Sequence, residues 1–193
     1  MREALALWLG LLLAIPALAA APDDPPSATV RSLLSTLQTF EAGDAEAARR
    51  AHAALDFVGL ARGSLGATWA KLSADERSRF LDLLRRIFAE VAYPRSAEFF
   101  EDIDIELAGG GRRRGLRVVE AAVSHPEEGP IELGFFLAEV DGRWKIRDLT
   151  LDGVSLGRDL RSRMQRIIRE DGYPELIARM EKKLEPGASL SDD

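Results

Sequence analysis

Ile131-Glu132-Leu133-Gly134-Phe135-Phe136-Leu137-Ala138-Glu139-Val140, then Asp141-Gly142, then Arg143-Trp144-Lys145-Ile146-Arg147-Asp148-Leu149-Thr150-Leu151, is the stretch that decides the fold. Two runs rich in aromatic and branched residues flank Asp-Gly. That dipeptide tolerates the left-handed backbone that a two-residue hairpin turn demands. The spacing predicts antiparallel strands over Ile131 to Val140 and Trp144 to Leu151. Leu133, Phe135 and Leu137 share one face, while Phe136, Ala138 and Val140 share the other.

Working outward, the period of two persists upstream. Ile103, Ile105 and Leu107 alternate with Asp102, Asp104 and Glu106, and Gly109-Gly110-Gly111 is expected to turn the chain. Leu116 to Val123 reads as the second strand, with Leu116 and Val118 on one face and Val119 and Val123 on the other. A loop from Ser124 to Pro130 precedes the decisive hairpin. Four strands therefore form a meander. A sheet with one wet face alternates cleanly, yet this one is apolar on both faces at its centre. Either helices cover both faces, or one face lines a cavity; periodicity leaves both readings open.

Helical periodicity flanks the strands. Val30, Leu33, Leu34 and Leu37 fall at i, i+3, i+4 and i+7. An alanine-rich stretch runs from Ala45 to Leu55, and short pieces follow around Phe57, Leu60, Leu65 and Trp69. Ser73-Ala74-Asp75-Glu76 is a capping box, in which a serine and a glutamate three residues on satisfy two orphan amides. Its helix carries Phe80, Leu83, Leu84, Ile87, Phe88 and Val91, and Pro94 after Tyr93 is expected to stop it. After the strands come Leu160, Met164, Ile167 and Ile168, then Pro174 with Leu176, Ile177 and Met180. Helices, strands and helices in succession make an α+β domain. The expected form is a curved four-stranded antiparallel sheet packed with N- and C-terminal helices, an NTF2-like cone.

The N-terminus reads as an export signal. Arg2 precedes an apolar run from Ala4 to Ile15, Pro16 breaks it, and Ala17-Leu18-Ala19 supplies small residues for cleavage. The run is shorter than the roughly 20 residues a membrane span needs. Residues 1–19 are thus expected to be removed, 20–28 to form a disordered leader, 29–185 the domain, and 186–193 a disordered tail. The 193 residues include no cysteine, which excludes disulfides and thiolate metal sites. A net charge of −6 argues against nucleic acid as a partner.

Catalytic chemistry is sparse. The two histidines, His52 and His125, read as ordinary surface residues. Asp102, Asp104 and Glu106 read as a solvated strand face, and Arg112-Arg113-Arg114 as a charged hairpin turn. Asp148, Asp152 and Ser155 lie where the last strand meets a helix, a place where such residues usually cap amides. No metal-ligand spacing or nucleophile motif occurs, so no catalytic residue, metal or cofactor is expected.

Several blocks carry a resemblance. Trp144-Lys145-Ile146-Arg147-Asp148, Asp152-Gly153-Val154-Ser155-Leu156 and Arg161-Ser162-Arg163-Met164 follow one another; earlier come Leu65-Gly66-Ala67-Thr68-Trp69, Leu72-Ser73, Glu76-Arg77 and Phe80. With Tyr93, Gly172 and Leu176-Ile177, these resemble the MlaC/toluene-tolerance family of periplasmic phospholipid-binding proteins, auxiliary components of ABC-type transport. The resemblance spans about residues 29 to 185. Departures are Arg147, where the family often has tyrosine, Asp159-Leu160 for asparagine-tyrosine, and Arg163 and Met164 in the R-S-Q-F motif.

The resemblance implies a monomeric periplasmic carrier that moves phospholipid between an outer-membrane lipoprotein complex and an inner-membrane ABC-type complex. Moving a lipid of roughly 30 methylenes through water costs about 0.8 kcal/mol each, on the order of 24 kcal/mol. A carrier must therefore bury the tails. Candidate pocket residues are Leu83, Phe88, Phe99, Val118, Leu133, Phe135, Leu137, Ile146, Val154 and Met164. Arg147 and Arg161 are candidates for a head-group phosphate, with surface salt bridging as the alternative. Two other classes stay open. A small exported enzyme of this shape would need an ionisable group in its pocket, and a protein-binding adaptor would have a filled core.

Overall fold

A computed structural model describes residues 23–101, 103–125 and 129–185. The export segment, residues 20–22 of the leader, Asp102, Pro126 and the tail 186–193 lie outside the described residues, as does the side chain of His125.

Helix α1 spans Pro25–Gln38. Asp24 caps it by accepting from the Ser27 amide at 2.9 Å, and Pro25 and Pro26 sit in its first turn, where a missing amide costs nothing. The helix thus begins inside the stretch expected to be a disordered leader. Helix α2, Ala45–Ala54, is capped by Asp44, and α3, Phe57–Leu65, by Asp56. A short α4, Ala67–Lys71, leads to α5, Ala74–Ile87. There the capping box forms: the Ser73 hydroxyl accepts from the Glu76 amide at 3.2 Å, and the Glu76 carboxylate accepts from the Ser73 amide at 2.7 Å.

Pro94 does not stop the chain's helical course. A π-helical turn, Phe88–Ala92, joins α5 directly to α6, Tyr93–Phe100. The proline sits in the first turn of α6. The widened turn before it lets the helical path continue past a residue that lacks an amide donor.

The sheet is open and antiparallel, in the order β1 (Ile105–Arg113), β2 (Leu116–His125), β3 (Gly129–Val140), β4 (Arg143–Leu151) and β5 (Val154–Ser155). It has five strands rather than four. The extra one is the two-residue β5, which folds back on Thr150 and Leu151. The architecture is an open antiparallel sheet packed with helices, which bears out the α+β class and not the finer cone. Three tight turns share one chemistry: Arg114-Gly115, Asp141-Gly142 and Asp152-Gly153 all have positive φ at both residues, the geometry of a two-residue hairpin turn. The expected turn at Gly109-Gly110-Gly111 is instead a bulge inside β1, between Gly109 and Arg112. A Cβ on Gly110 would lie 2.8 Å from a Val118 methyl carbon, so the glycine permits the strands' close approach.

Helices α7, Leu156–Glu170, and α8, Tyr173–Lys182, follow the sheet. No described helix is long and apolar enough to cross a membrane. Two apolar cores result. The first joins α1, α2 and α6 to the sheet face bearing Ile131, Leu133, Phe135 and Leu137. The second joins α3, α5, α7 and α8 around Phe80, Leu84, Met164 and Ile177. Leu55 and Phe88 pack against both.

Candidate functional site

A cavity of about 250 Å³ lies along the join between the two cores. Leu33 and Leu37 of α1 form one wall; Leu55, Leu60 and Phe88 form another. Phe135, Ile146 and Leu149 supply the sheet side, and Leu156 and Leu160 of α7 close the remainder. These side chains meet because β3 and β4 pair Phe135 with Leu149 and Leu137 with Ile146. The polar lining is confined to Asp56, Tyr93, Ser96, Arg147 and Asp148.

One irregularity sets the rim. The β3–β4 register shifts between Phe136 and Leu137, leaving Arg147 as an extra residue opposite neither. A bulge of this kind re-aims a side chain. Arg147 Nε donates to Asp56 Oδ2 at 2.6 Å. Asp56 is buried and also accepts from the Gly59 amide at 2.9 Å, capping α3. The Arg147 side chain remains 44% exposed and lines the cavity, so it stands at the rim.

Asp148, next along, accepts from the Leu149 and Gly157 amides at 2.9 Å each and from the Ser155 hydroxyl at 2.6 Å. Ser155 in turn accepts from the Arg158 amide at 3.0 Å. Asp152 accepts from the Glu132 amide at 2.9 Å. Asp148 and Ser155 are thus committed to each other and to the first amides of α7, the capping role their position suggests, whereas Asp152 ties its turn to β3.

Two buried polar atoms lack a partner among the described residues: the Tyr93 hydroxyl and His52 Nε2. Their rings lie 5.5 Å apart, and His52 also meets Phe57 edge-on. Burial pushes the Tyr93 phenol far above its ordinary pKa of 10.0. Burial likewise lowers the His52 pKa below 6.5; the Arg85 charge acts the same way, and a hydrogen bond to the Arg85 backbone partly opposes it. His52 is therefore part of the packing rather than an ordinary surface residue.

Of the residues singled out from sequence, Phe88, Phe135, Ile146 and Arg147 come together at the cavity. Leu133 and Leu137 share the sheet face but pack into the first core, against which Phe99 also rests. Leu83 and Met164 belong to the second core. Val118 lies across from Phe136 on the opposite sheet face. That face carries a groove of about 320 Å³, lined by Glu120, Glu132 and Arg113 as well as Val118 and Phe136, and too polar to seclude a hydrocarbon chain. Val154 is 63% exposed. Arg161 donates to the Gly63 carbonyl at 2.9 Å, tying α7 to α3 away from the cavity. Sequence reasoning missed Leu33, Leu37, Leu60 and Leu160: helical periodicity marks them as inward-facing but cannot separate a cavity wall from a filled core. Among the described residues, no group of His, Asp or Glu could hold a metal ion.

The fold and site define an α+β domain built around an apolar cavity with a charged rim. Residues 29–182 match the family model described as MlaC protein, and the chain belongs to the MlaC family. A similar solved structure is that of a phospholipid-binding protein from Ralstonia solanacearum in complex with a phospholipid. It is 17% identical, with a TM-score of 0.63, over 83% of this chain and 97% of that one. No curated protein matches the sequence.

Proposed function

We propose that this chain is a periplasmic carrier that holds phospholipid acyl chains in the cavity between its two cores, with Arg147 at the head group. The observation that carries this reading is the apolar cavity itself, in a chain of the MlaC family whose structural neighbour was solved with a phospholipid. At about 250 Å³ it falls below the roughly 300–1,000 Å³ of most ligand sites. The loaded form must therefore be wider, with walls parting where the two cores meet. Arg147 suits a phosphate because Asp56 fixes its Nε while the outer guanidinium donors remain available for a paired contact. Leu83, Met164, Val118, Val154 and Arg161 lie outside the cavity lining and take no part in this proposal.

Export through the N-terminal segment and transfer between outer- and inner-membrane complexes complete the proposal, as the family resemblance implies. A binding and transport protein fits better than an enzyme, because Asp148 and Ser155 are spent on capping α7 and Asp152 on a β3 amide. An adaptor with a filled core is at odds with the cavity.

Native mass spectrometry of protein purified from a periplasm is the test. A co-purifying phospholipid is expected, and Leu160→Trp, which fills the cavity from its α7 wall, should lose it while remaining folded. Repeated recovery of lipid-free protein that also takes up no lipid from vesicles overturns the proposal.

A further inference from the structure

Among the described residues, the Tyr93 hydroxyl is the buried side-chain oxygen left without a hydrogen-bond partner. The residue is 3% exposed and lines the apolar cavity. It opens α6, directly after the π-helical turn. Phe40 and Phe88 meet its ring edge-on at 5.4 and 5.9 Å, and neither side chain carries an acceptor. The His52 ring, 5.5 Å away, holds the other orphan, Nε2, so the two do not satisfy one another.

The remaining polar lining differs in kind. Ser96, one turn further along α6, donates to the Ala92 carbonyl at 2.9 Å. Asp56 and Asp148 are acceptors that already hold amides. Arg147 is a charged donor at the rim. Tyr93 is therefore the neutral donor of the cavity wall, and burial keeps it protonated by raising its pKa. A hydroxyl shut away from water without an acceptor is costly, and phenylalanine would fill the same wall without that cost. A cargo that brings its own acceptor accounts for the hydroxyl.

A phospholipid offers two kinds of acceptor. Its phosphate is charged. The carbonyls of ester-linked chains are neutral and lie where the chains join the glycerol. A neutral donor among aromatic rings suits the second kind, because an anion held there would be stripped of water with no counter-charge. We infer that Tyr93 is a specificity-determining residue: its hydroxyl donates to an acyl-ester carbonyl of the bound lipid, so the cavity selects ester-linked over ether-linked chains. The inference rests on the lipid-carrier reading and names the linkage which that reading leaves open. It places the glycerol end of at least one chain against the α6 wall of the cavity.

Competition for the delipidated protein tests it, with native mass spectrometry as the readout. Vesicles present equal amounts of dioleoyl phosphatidylglycerol and its di-O-octadecenyl analogue, which keeps the head group and chain length but lacks both carbonyls. Wild type should take up the ester lipid in about tenfold excess, the effect of one buried donor satisfied or left unpaired. Tyr93→Phe, which keeps the ring, should bring the ratio to about one, with the loss falling on the ester lipid. Folding is checked by circular dichroism, and Tyr93→Leu, which also lacks the hydroxyl, replaces a variant that unfolds. Equal uptake of the two lipids by wild type overturns the inference while the carrier reading stands, and it returns the hydroxyl to a partner within the fold, beside His52. A preference that survives loss of the hydroxyl also overturns it, because another group then reads the linkage. Uptake of neither lipid overturns the carrier reading itself, and the inference with it.

Discussion

At the scale of single residues, the join between β4 and α7 depends on one carboxylate. Asp148 takes two amides and a hydroxyl, and a Cβ on Gly157 would come within 2.8 Å of its Oδ1. Asp148→Ala should cost about 2–3 kcal/mol, since hydrogen bonds to a charged acceptor are worth about 1.5–3 kcal/mol and a cap about 1 kcal/mol. A shift in the urea midpoint measures it, and an unchanged midpoint contradicts the capping role. Tyr93 points the other way. Its hydroxyl is buried without a described partner, so Tyr93→Phe should leave thermal stability unchanged or raise it by up to about 1 kcal/mol.

Two aromatic rings, His52 and Tyr93, each make stability depend on pH. Burial holds the His52 pKa below 6.5, so the unfolded chain takes up a proton there before the folded one does. Stability should be full above about pH 6.5 and fall as acid approaches the folded value. His52→Phe should flatten that part of the profile. Burial raises the Tyr93 pKa, so the unfolded chain alone ionises above about pH 10 and stability should fall there; Tyr93→Phe removes this loss.

At the scale of elements, Phe88 begins the π-helical turn and meets Phe57 and Tyr93 edge-on at 5.2 and 5.9 Å. Half-buried and touching both cores, it should cost about 2–3 kcal/mol on truncation to alanine, somewhat less than a fully buried phenylalanine, while the cavity widens. Calorimetry with and without lipid would show both effects. Elements were legible in sequence where one local rule acted alone. Asp141-Gly142 and the Ser73–Glu76 box follow from short-range chemistry. Asp152-Gly153 carries the same hairpin chemistry, yet the strand after it is two residues long and leaves no alternation to read. The glycines at 109–111 were misleading because glycine serves both turns and bulges, and only Val118 on the next strand decides between them. Pro94 misled because a widened turn upstream accommodates it. Arg147 was legible as a departure in type, but its place at the rim comes from a register shift that depends on β3.

At the scale of the molecule, a ligand that binds only the folded form adds stability. At about 100 times its Kd the gain is about 2.7 kcal/mol, so delipidated protein should melt several degrees below loaded protein. Equal melting temperatures would place any bound lipid outside the fold. The cavity could not be read from sequence as a whole, because its walls come from helices and strands far apart in the chain, each of which looks like ordinary core.

The separation of the two cores also bears on how such a chain can change over generations. Cargo space is bounded by the join, whereas Phe80, Leu84 and Ile177 pack well behind it. Substitutions there alter robustness while leaving the shape offered to cargo alone. Positions behind the join can therefore drift without reshaping the cavity, whereas Leu60 and Leu160, which pack on the second core and line the cavity, and Leu55 and Phe88, which touch both cores, are tied to it.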